Sequence, residues 1–179
     1  LASSQKAQAE SVQFYFQRGI DKYDIGDYYG AIADFTKAIQ IDSKYFQAYY
    51  NRGLVKIELK DYYGAINDFT KTIQINPRND NAFHSRGVSK ERLANYQGAI
   101  SDYTKAIGIN PNRADSYHGI GVSKYALKDY FYSITSFSKA IEINPNRADF
   151  YYNRGMVKKD SRDYLGAISD YTMAIQINP

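Results

Sequence analysis

The chain is 179 residues long, carries a formal net charge of +4 and has no cysteine, which excludes disulfides and thiolate metal sites but leaves the compartment open. No apolar run approaches the roughly 20 residues that a membrane-spanning helix needs, and the modest charge is spread along the chain instead of gathered into a basic block. The 19 tyrosines and 9 phenylalanines are the unusual feature, and their placement is periodic.

Residues 1–11 (Leu-Ala-Ser-Ser-Gln-Lys-Ala-Gln-Ala-Glu-Ser) are polar and stand outside the period. They predict a lead-in of linker character, helical in part, and the lack of an initiator Met points to a processed chain or an excised segment. From Val12 the sequence recurs every 34 residues, as 12–45, 46–79, 80–113, 114–147 and 148–179. Let column 1 be Val12, Phe46, Asp80, Ala114 and Ala148. Column 4 is then aromatic (Tyr15, Tyr49, Phe83, Tyr117, Tyr151), and column 8 is glycine throughout (Gly19, Gly53, Gly87, Gly121, Gly155). Column 20 is small (Ala31, Ala65, Ala99, Ser133, Ala167), and column 24 is aromatic again (Phe35, Phe69, Tyr103, Phe137, Tyr171).

The second half of each unit is the more regular. The stretch from Asn95 to Pro111 has near-copies opening at Asp27, Asp61, Asp129 and Asp163. Each opens on a residue that can cap a helix and continues with apolar residues at spacings of three and four, which make one helical face. Four of the five stop at an Asn-Pro, with Pro77, Pro111, Pro145 and Pro179, and the first ends at Asp42-Ser43. The prediction is a capped amphipathic helix per repeat. Glycine inside a helix costs up to about 1 kcal/mol against alanine. Five glycines in register therefore predict a close helix approach, with small column 20 as its other side. The unit reads as a helical hairpin, and a 34-residue period as a quasi-linear solenoid.

Charge is also periodic. Column 7 is Arg18, Arg52, Arg86, Ile120 and Arg154; column 11 is lysine throughout (Lys22, Lys56, Lys90, Lys124, Lys158); column 23 is Asp34, Asp68, Asp102, Ser136 and Asp170. The fourth repeat loses the arginine and the aspartate together. This predicts an ion pair within each repeat that fixes hairpin register, a structural and not a catalytic role. That repeat departs elsewhere too, with Gly119 in a usually polar column and Phe131-Tyr132 ahead of Ser133. The extra ring predicts an outer contact patch or a relaxed surface.

The pattern closely resembles the tetratricopeptide repeat, whose signature has an aromatic at 4, Gly at 8, Ala at 20, an aromatic at 24, Ala at 27 and Pro at 32. The resemblance covers residues 12–179 without an insertion. It implies an all-α, right-handed superhelical solenoid of five helix-turn-helix hairpins, and a protein-interaction scaffold with a concave groove lined by the first helices. The last helix, with Ile168, Tyr171 and Ile175, has no hairpin after it. The expectation is a fragment of a longer protein, or an end that pairs with another chain, so self-association is an open partner class.

Within that family the groove corresponds to columns 2, 5, 6, 9, 12 and 13. Column 5 reads Phe16, Tyr50, His84, His118 and Tyr152, a row of planar side chains expected to lie off the packing columns. Column 9 is apolar, with Ile20, Leu54, Val88, Val122 and Met156. Column 6 offers Gln17, Asn51, Ser85, Gly119 and Asn153, and column 2 Gln13, Gln47, Asn81, Asp115 and Asp149. An apolar floor with rings and amides suits an extended or helical peptide. The family's clamp for a C-terminal carboxylate needs cations in columns 2 and 5, which are absent here, so partners of that type are not expected. The acids Asp24, Glu58, Glu91, Asp115, Asp149 and Asp160 outnumber Arg92 and Lys159 on the stripe. This favours basic or neutral ligands unless Lys44, Arg78, Arg113 or Arg147 in the turns neutralises it.

Three other function classes remain to be weighed. Column 5 rings could stack on bases, but phosphate needs a basic groove, so no nucleic acid is expected. A purely structural or self-assembling segment stays as the alternative to a scaffold. No phosphate loop, nucleophile motif or metal spacing occurs. The two histidines share a column on helices about 8–10 Å apart, too far for both to bond one zinc at about 2 Å. No enzyme activity, catalytic residue, metal or cofactor is expected.

Overall fold

The computed structural model describes residues 2–179, with side chains from Ser11 onward. The expectation about the polar side chains of the lead-in therefore falls largely outside the described residues, although its backbone continues directly into the first helix. Among the described residues there are ten helices and no strand: α1 (Ala2–Asp24), α2 (Tyr28–Ile41), α3 (Phe46–Glu58), α4 (Tyr62–Ile75), α5 (Asp80–Arg92), α6 (Tyr96–Ile109), α7 (Ala114–Ala126), α8 (Tyr130–Ile143), α9 (Ala148–Asp160) and α10 (Tyr164–Ile177). They fall into two compact units, Leu1–Ser89 and Lys90–Pro179, which meet in the chain within the last turn of α5. In the first unit α1 pairs with α2 and α3 with α4, and α2 packs on α3. In the second, α7 pairs with α8 and α9 with α10, while α6 packs on α7 and α8 on α9.

Every hairpin turns the same way. In the second repeat the Lys60 amide donates to the Ile57 carbonyl and the Asp61 amide to the Lys56 carbonyl. These are the two bonds of a helix stop closed by a residue in the left-handed region. That residue is Gly26, Lys60, Ala94, Lys128 and Arg162 in turn, all at φ between 57° and 80°. The next residue then caps the second helix: the carboxylates of Asp27, Asp61 and Asp163 accept from the amides of Gly30, Gly64 and Gly166, as Asn95 does from Gly98. At Tyr132, where the siblings have glycine, the bond to Asp129 stretches to 3.5 Å.

The glycine column meets a ring. A Cβ on Gly19, Gly53 or Gly121 would come within 2.7–2.8 Å of Phe35, Phe69 or Phe137. The space is thus filled by column 24, not by the small column 20 expected from the sequence. Column 20 sits alongside, where Ser133 Oγ donates to the Gly121 carbonyl at 2.8 Å. Phe35, Phe69, Tyr103 and Phe137 are fully buried as a result.

The predicted ion pair is present and has more members than expected. Arg18, Arg52 and Arg154 each donate two bonds to Asp34, Asp68 and Asp170 across their hairpins, at 2.5–2.9 Å. The column 11 lysine joins them: Lys22, Lys56 and Lys158 lie 2.7–2.9 Å from the same carboxylates, and Lys90 lies 2.7 Å from Asp102. The arginine's remaining nitrogen reaches back to the preceding hairpin, from Arg52 to Thr36, Arg86 to Thr70 and Arg154 to Ser138, at 2.9–3.0 Å. The carboxylates are 2–3 % exposed. The Arg18 fork holds Asp34 at about 2 against its burial, with Lys22 assisting. The stability it adds is complete above the ordinary carboxylate range near pH 4 and is lost as pH falls toward 2. In the fourth repeat, Lys124 turns instead to Asp129 at 2.8 Å and lies 4.9 Å over the Tyr132 ring.

Two outcomes follow. Gly121→Ala should lower stability by about 1–3 kcal/mol, because its methyl must displace a buried ring; an unchanged denaturant midpoint would place the ring elsewhere. Asp68→Leu strands two cations and should cost about 3–5 kcal/mol. Adding Arg52→Leu should recover part of that loss, with a coupling above about 1 kcal/mol in a double-mutant cycle. Simple additivity would mean that the fork is not energetically coupled.

Candidate functional site

The stripe lies on the first helix of each hairpin, and its rows differ in depth. Column 9 is neither sealed nor bare: Ile20, Leu54 and Val88 in the first unit, and Val122 and Met156 in the second, are all half-buried. The next position inward is closed in the last four repeats, with Val55, Ser89, Ser123 and Val157 at 0–1 % exposure, and open in the first, where Asp21 is exposed. In column 2, Gln13, Asn81, Asp115 and Asp149 are exposed and Gln47 half-buried. In column 6, Gln17 is exposed and donates to Asp21, Asn51 donates to the Gln47 carbonyl, and Ser85 and Gly119 are buried.

Column 5 departs from the sequence reading, which put it off the packing columns. The Phe16 ring lies 5.8 Å from Phe35 and 5.2 Å from Tyr45, and Tyr50 lies 5.6 Å from Phe69. His118 lies 5.3 Å from Phe137 and stacks on Phe150 at 5.0 Å. Its Nε2 also shares a 2.7 Å hydrogen bond with the Asn153 amide. Tyr152 keeps 53 % of its surface, although its ring is 5.7 Å from Tyr171, and His84 is half-buried. The cause is the bare column 8: a ring filling that gap also touches the side chain three residues earlier on the same helix face. The spacing of columns 5 and 8 carried this signal in the sequence.

The charges of the stripe are largely answered within the second unit. Arg147 forks onto Asp149 at 2.8–2.9 Å, reaches Asp115 at 3.2 Å and lies 4.5 Å over the Phe150 ring. Its bonds hold the Asp149 carboxyl below the usual range. Glu91 is buried enough to be pushed up even though Tyr103 and Ser123 donate to it, at 3.1 and 3.4 Å. The Tyr103 ring occupies the space that a Cβ at Gly119 would need, which accounts for glycine at that departure from the pattern. The Tyr125 hydroxyl donates to Asp160 at 2.5 Å, which pushes its pKa up to about 12. Among the described residues no three His, Cys, Asp or Glu side chains gather into a metal-binding group, and no helix is long and apolar enough to cross a membrane.

Among the described residues, cavities open on these columns at two places. One of about 190 Å³ is lined by Ile20, Tyr23, Asp24, Phe35, Asn51 and Leu54. The other, of about 590 Å³, lies on the last hairpin between Asp149, Tyr152, Tyr171, Ala174 and Ile175. The equivalent columns of the fourth repeat are covered by Phe150 and Arg147.

Models of the tetratricopeptide repeat match residues 21–59, 46–79, 81–113 and 148–179. The chain belongs to the tetratricopeptide repeat family. The matches leave out 114–147, the repeat that has lost its Arg–Asp fork. Comparison with curated proteins gives no match. Among solved structures, MamA from Desulfovibrio magneticus RS-1 is 17% identical with a TM-score of 0.88, over 93% of this chain and 94% of its own. YrrB, described as a tetratricopeptide protein with an unusual peptide-binding site, is 22% identical with a TM-score of 0.80, over 99% and 92%. The pilF protein of Pseudomonas aeruginosa is 19% identical with a TM-score of 0.84, over 97% and 79%. At these identities the likeness is one of fold, an all-α solenoid of helical hairpins.

The seat of His118 in this tetratricopeptide chain has a pH signature. Burial pushes the imidazole below its ordinary value, with Asp149 and Asp115 acting against that and Arg147 with it. The unfolded chain therefore takes up the proton first, and stability falls as pH drops below about 6.5. Melting between pH 7.5 and 5 should fall less steeply in His118→Phe, which keeps a ring on Phe150 but cannot titrate. Equal slopes would show that the imidazole is not desolvated.

Proposed function

We propose that this tetratricopeptide chain is a protein-interaction scaffold and that the first-helix stripe takes up a peptide or protein partner, in extended or helical form. The observation that carries the reading is column 9. Its five apolar side chains stay only half-buried while the adjoining column is sealed in the last four repeats, so the row is accessible surface and not closed core. The amides of Gln13, Gln47 and Asn81 flank it and can pair with a bound backbone. Column 2 has no cation, which disfavours both a C-terminal carboxylate and a phosphate backbone as the recognised group. Proteins of this family are in general scaffolds and not enzymes, and YrrB is described as having a peptide-binding site, which supports the same class of partner.

The test is selection from a phage-displayed random peptide library, with the affinity of the selected peptides measured by fluorescence anisotropy. Val88→Ser, Val122→Ser and Met156→Ser should weaken binding by at least about tenfold if the row supplies anchors, with little change in helicity. Tyr63→Ala and Phe131→Ala, on exposed rings away from the stripe, should bind normally. The reverse pattern would assign binding to the outer rings.

A further inference from the structure

The stripe is not uniform, and its departure from uniformity lies between the first two hairpins. The cavity there, about 190 Å³, is smaller than the roughly 300–1,000 Å³ of small-molecule sites and matches one inserted side chain. Its apolar lining comes from Ile20, Leu54 and Phe35. The rest of its lining is Tyr23, Asp24 and Asn51, whose amide nitrogen is committed to the Gln47 carbonyl, leaving its side-chain oxygen as an acceptor. Glu58 adds a second carboxylate near Tyr23 and, after burial, helps to raise that phenol. Neither Asp24 nor Glu58 has an ion-pair or hydrogen-bond partner among the described residues.

The later hairpins use the same columns differently. In the second unit, Tyr103 stands where Phe35 does, with its ring over Gly119 and its hydroxyl on Glu91, and Arg92 occupies the column of Asp24. One repeat further, Tyr125 donates to Asp160 and Asn153 is bonded to His118. The equivalent pair in the first unit is Tyr23 and Glu58, which form no such bond. At the later positions the protein satisfies its own polar groups, and at the first it leaves an apolar socket with unanswered negative charge. Both halves of that description fit a long aliphatic side chain ending in a cation.

We propose that this socket takes an arginine or lysine side chain of the partner that docks along the stripe. The aliphatic stem lies on Ile20, Leu54 and Phe35, and the cation meets Asp24 and Glu58. The inference rests on the stripe reading and adds to it a position and a charge requirement. Uncompensated carboxylates also steer a basic segment toward this end of the groove and fix its register there.

The test uses the full chain with methyl-labelled Ile and Leu and a labelled Asn51 amide, observed by NMR. The probes are an acetylated, amidated alanine-rich nonapeptide with one central arginine, and its norleucine and glutamate counterparts. A further probe is agmatine, which presents a guanidinium without a peptide chain. The arginine peptide should shift the Ile20 and Leu54 methyls and the Asn51 amide, and bind at least about tenfold more tightly than the norleucine peptide. The glutamate peptide should leave these signals unmoved. Asp24→Asn with Glu58→Gln should erase the preference for arginine over norleucine while leaving the fold's spectrum intact. Equal binding of arginine and norleucine peptides, or a preference that survives the double substitution, overturns the charge reading. Agmatine binding as tightly as the peptide overturns the peptide source in favour of a small free cation. Arginine peptides that shift Val88 or Val122 but not Ile20 and Leu54 overturn the socket while leaving the stripe standing. The absence of any shift overturns the socket, and the library selection above then decides the stripe separately.

Discussion

A carboxylate held at 2–3 % exposure sets the conditions for much of this structure. An unpaired charge in that position would be prohibitive, so each column 23 aspartate requires an arginine fork and a lysine from the facing helix. The fork fixes the rotation of that helix, and the rotation directs glycine at column 8 toward the ring at column 24. With the ring in the gap, column 5 rests on it and column 9 is left as the half-open floor. A buried ion pair is poor evidence of net stability, and its best-supported use is to select one register from several. The fourth repeat shows what happens when it is withdrawn. Ile120 and Ser136 replace the pair, and the orphaned lysine moves to Asp129 and the Tyr132 ring.

Much of the hairpin could be read in the sequence because its rules are local. Helix limits follow from cap and stop residues, and the pairing of Arg with Asp followed from their joint loss in one repeat. What could not be read was mostly side-chain geometry. Lysine at column 11 is invariant across the repeats, so no loss marked its partner, and its place in the carboxylate cluster emerged only from the structure. The left-handed turn residue was equally hidden, since only Gly26 of the five announces it and Lys60, Ala94, Lys128 and Arg162 accept it without a signal. Column 5 is not independent of column 8, which is why its burial does not show in its own residues. The bareness of one decides the burial of the other.

The stripe is best understood as what remains after the protein has satisfied itself. Arg147 answers Asp115 and Asp149, Tyr103 answers Glu91, and Asn153 engages His118. Each such bond removes a group from the pool a partner could use. Net charge along a repeat face is therefore a poor guide to its ligand. The informative quantity is the set of polar groups left without an internal answer, and these are unevenly distributed between repeats that are nearly identical in sequence.

The arginine of column 7 bonds an aspartate 16 residues ahead and a hydroxyl 16 residues behind. Elsewhere among the described residues, Tyr125 to Asp160 and Asn153 to His118 span 35 residues. None of these bonds has to wait for a distant segment to arrive. A chain wired at such short range meets little loop-closure entropy, and topology of this kind is associated with fast folding. It can also begin folding at any hairpin and spread to its neighbours. The same short wiring makes the unit copyable: a duplicated stretch of 34 residues brings its own partners, both forward and back, and lengthens the array without rewriting what stands on either side.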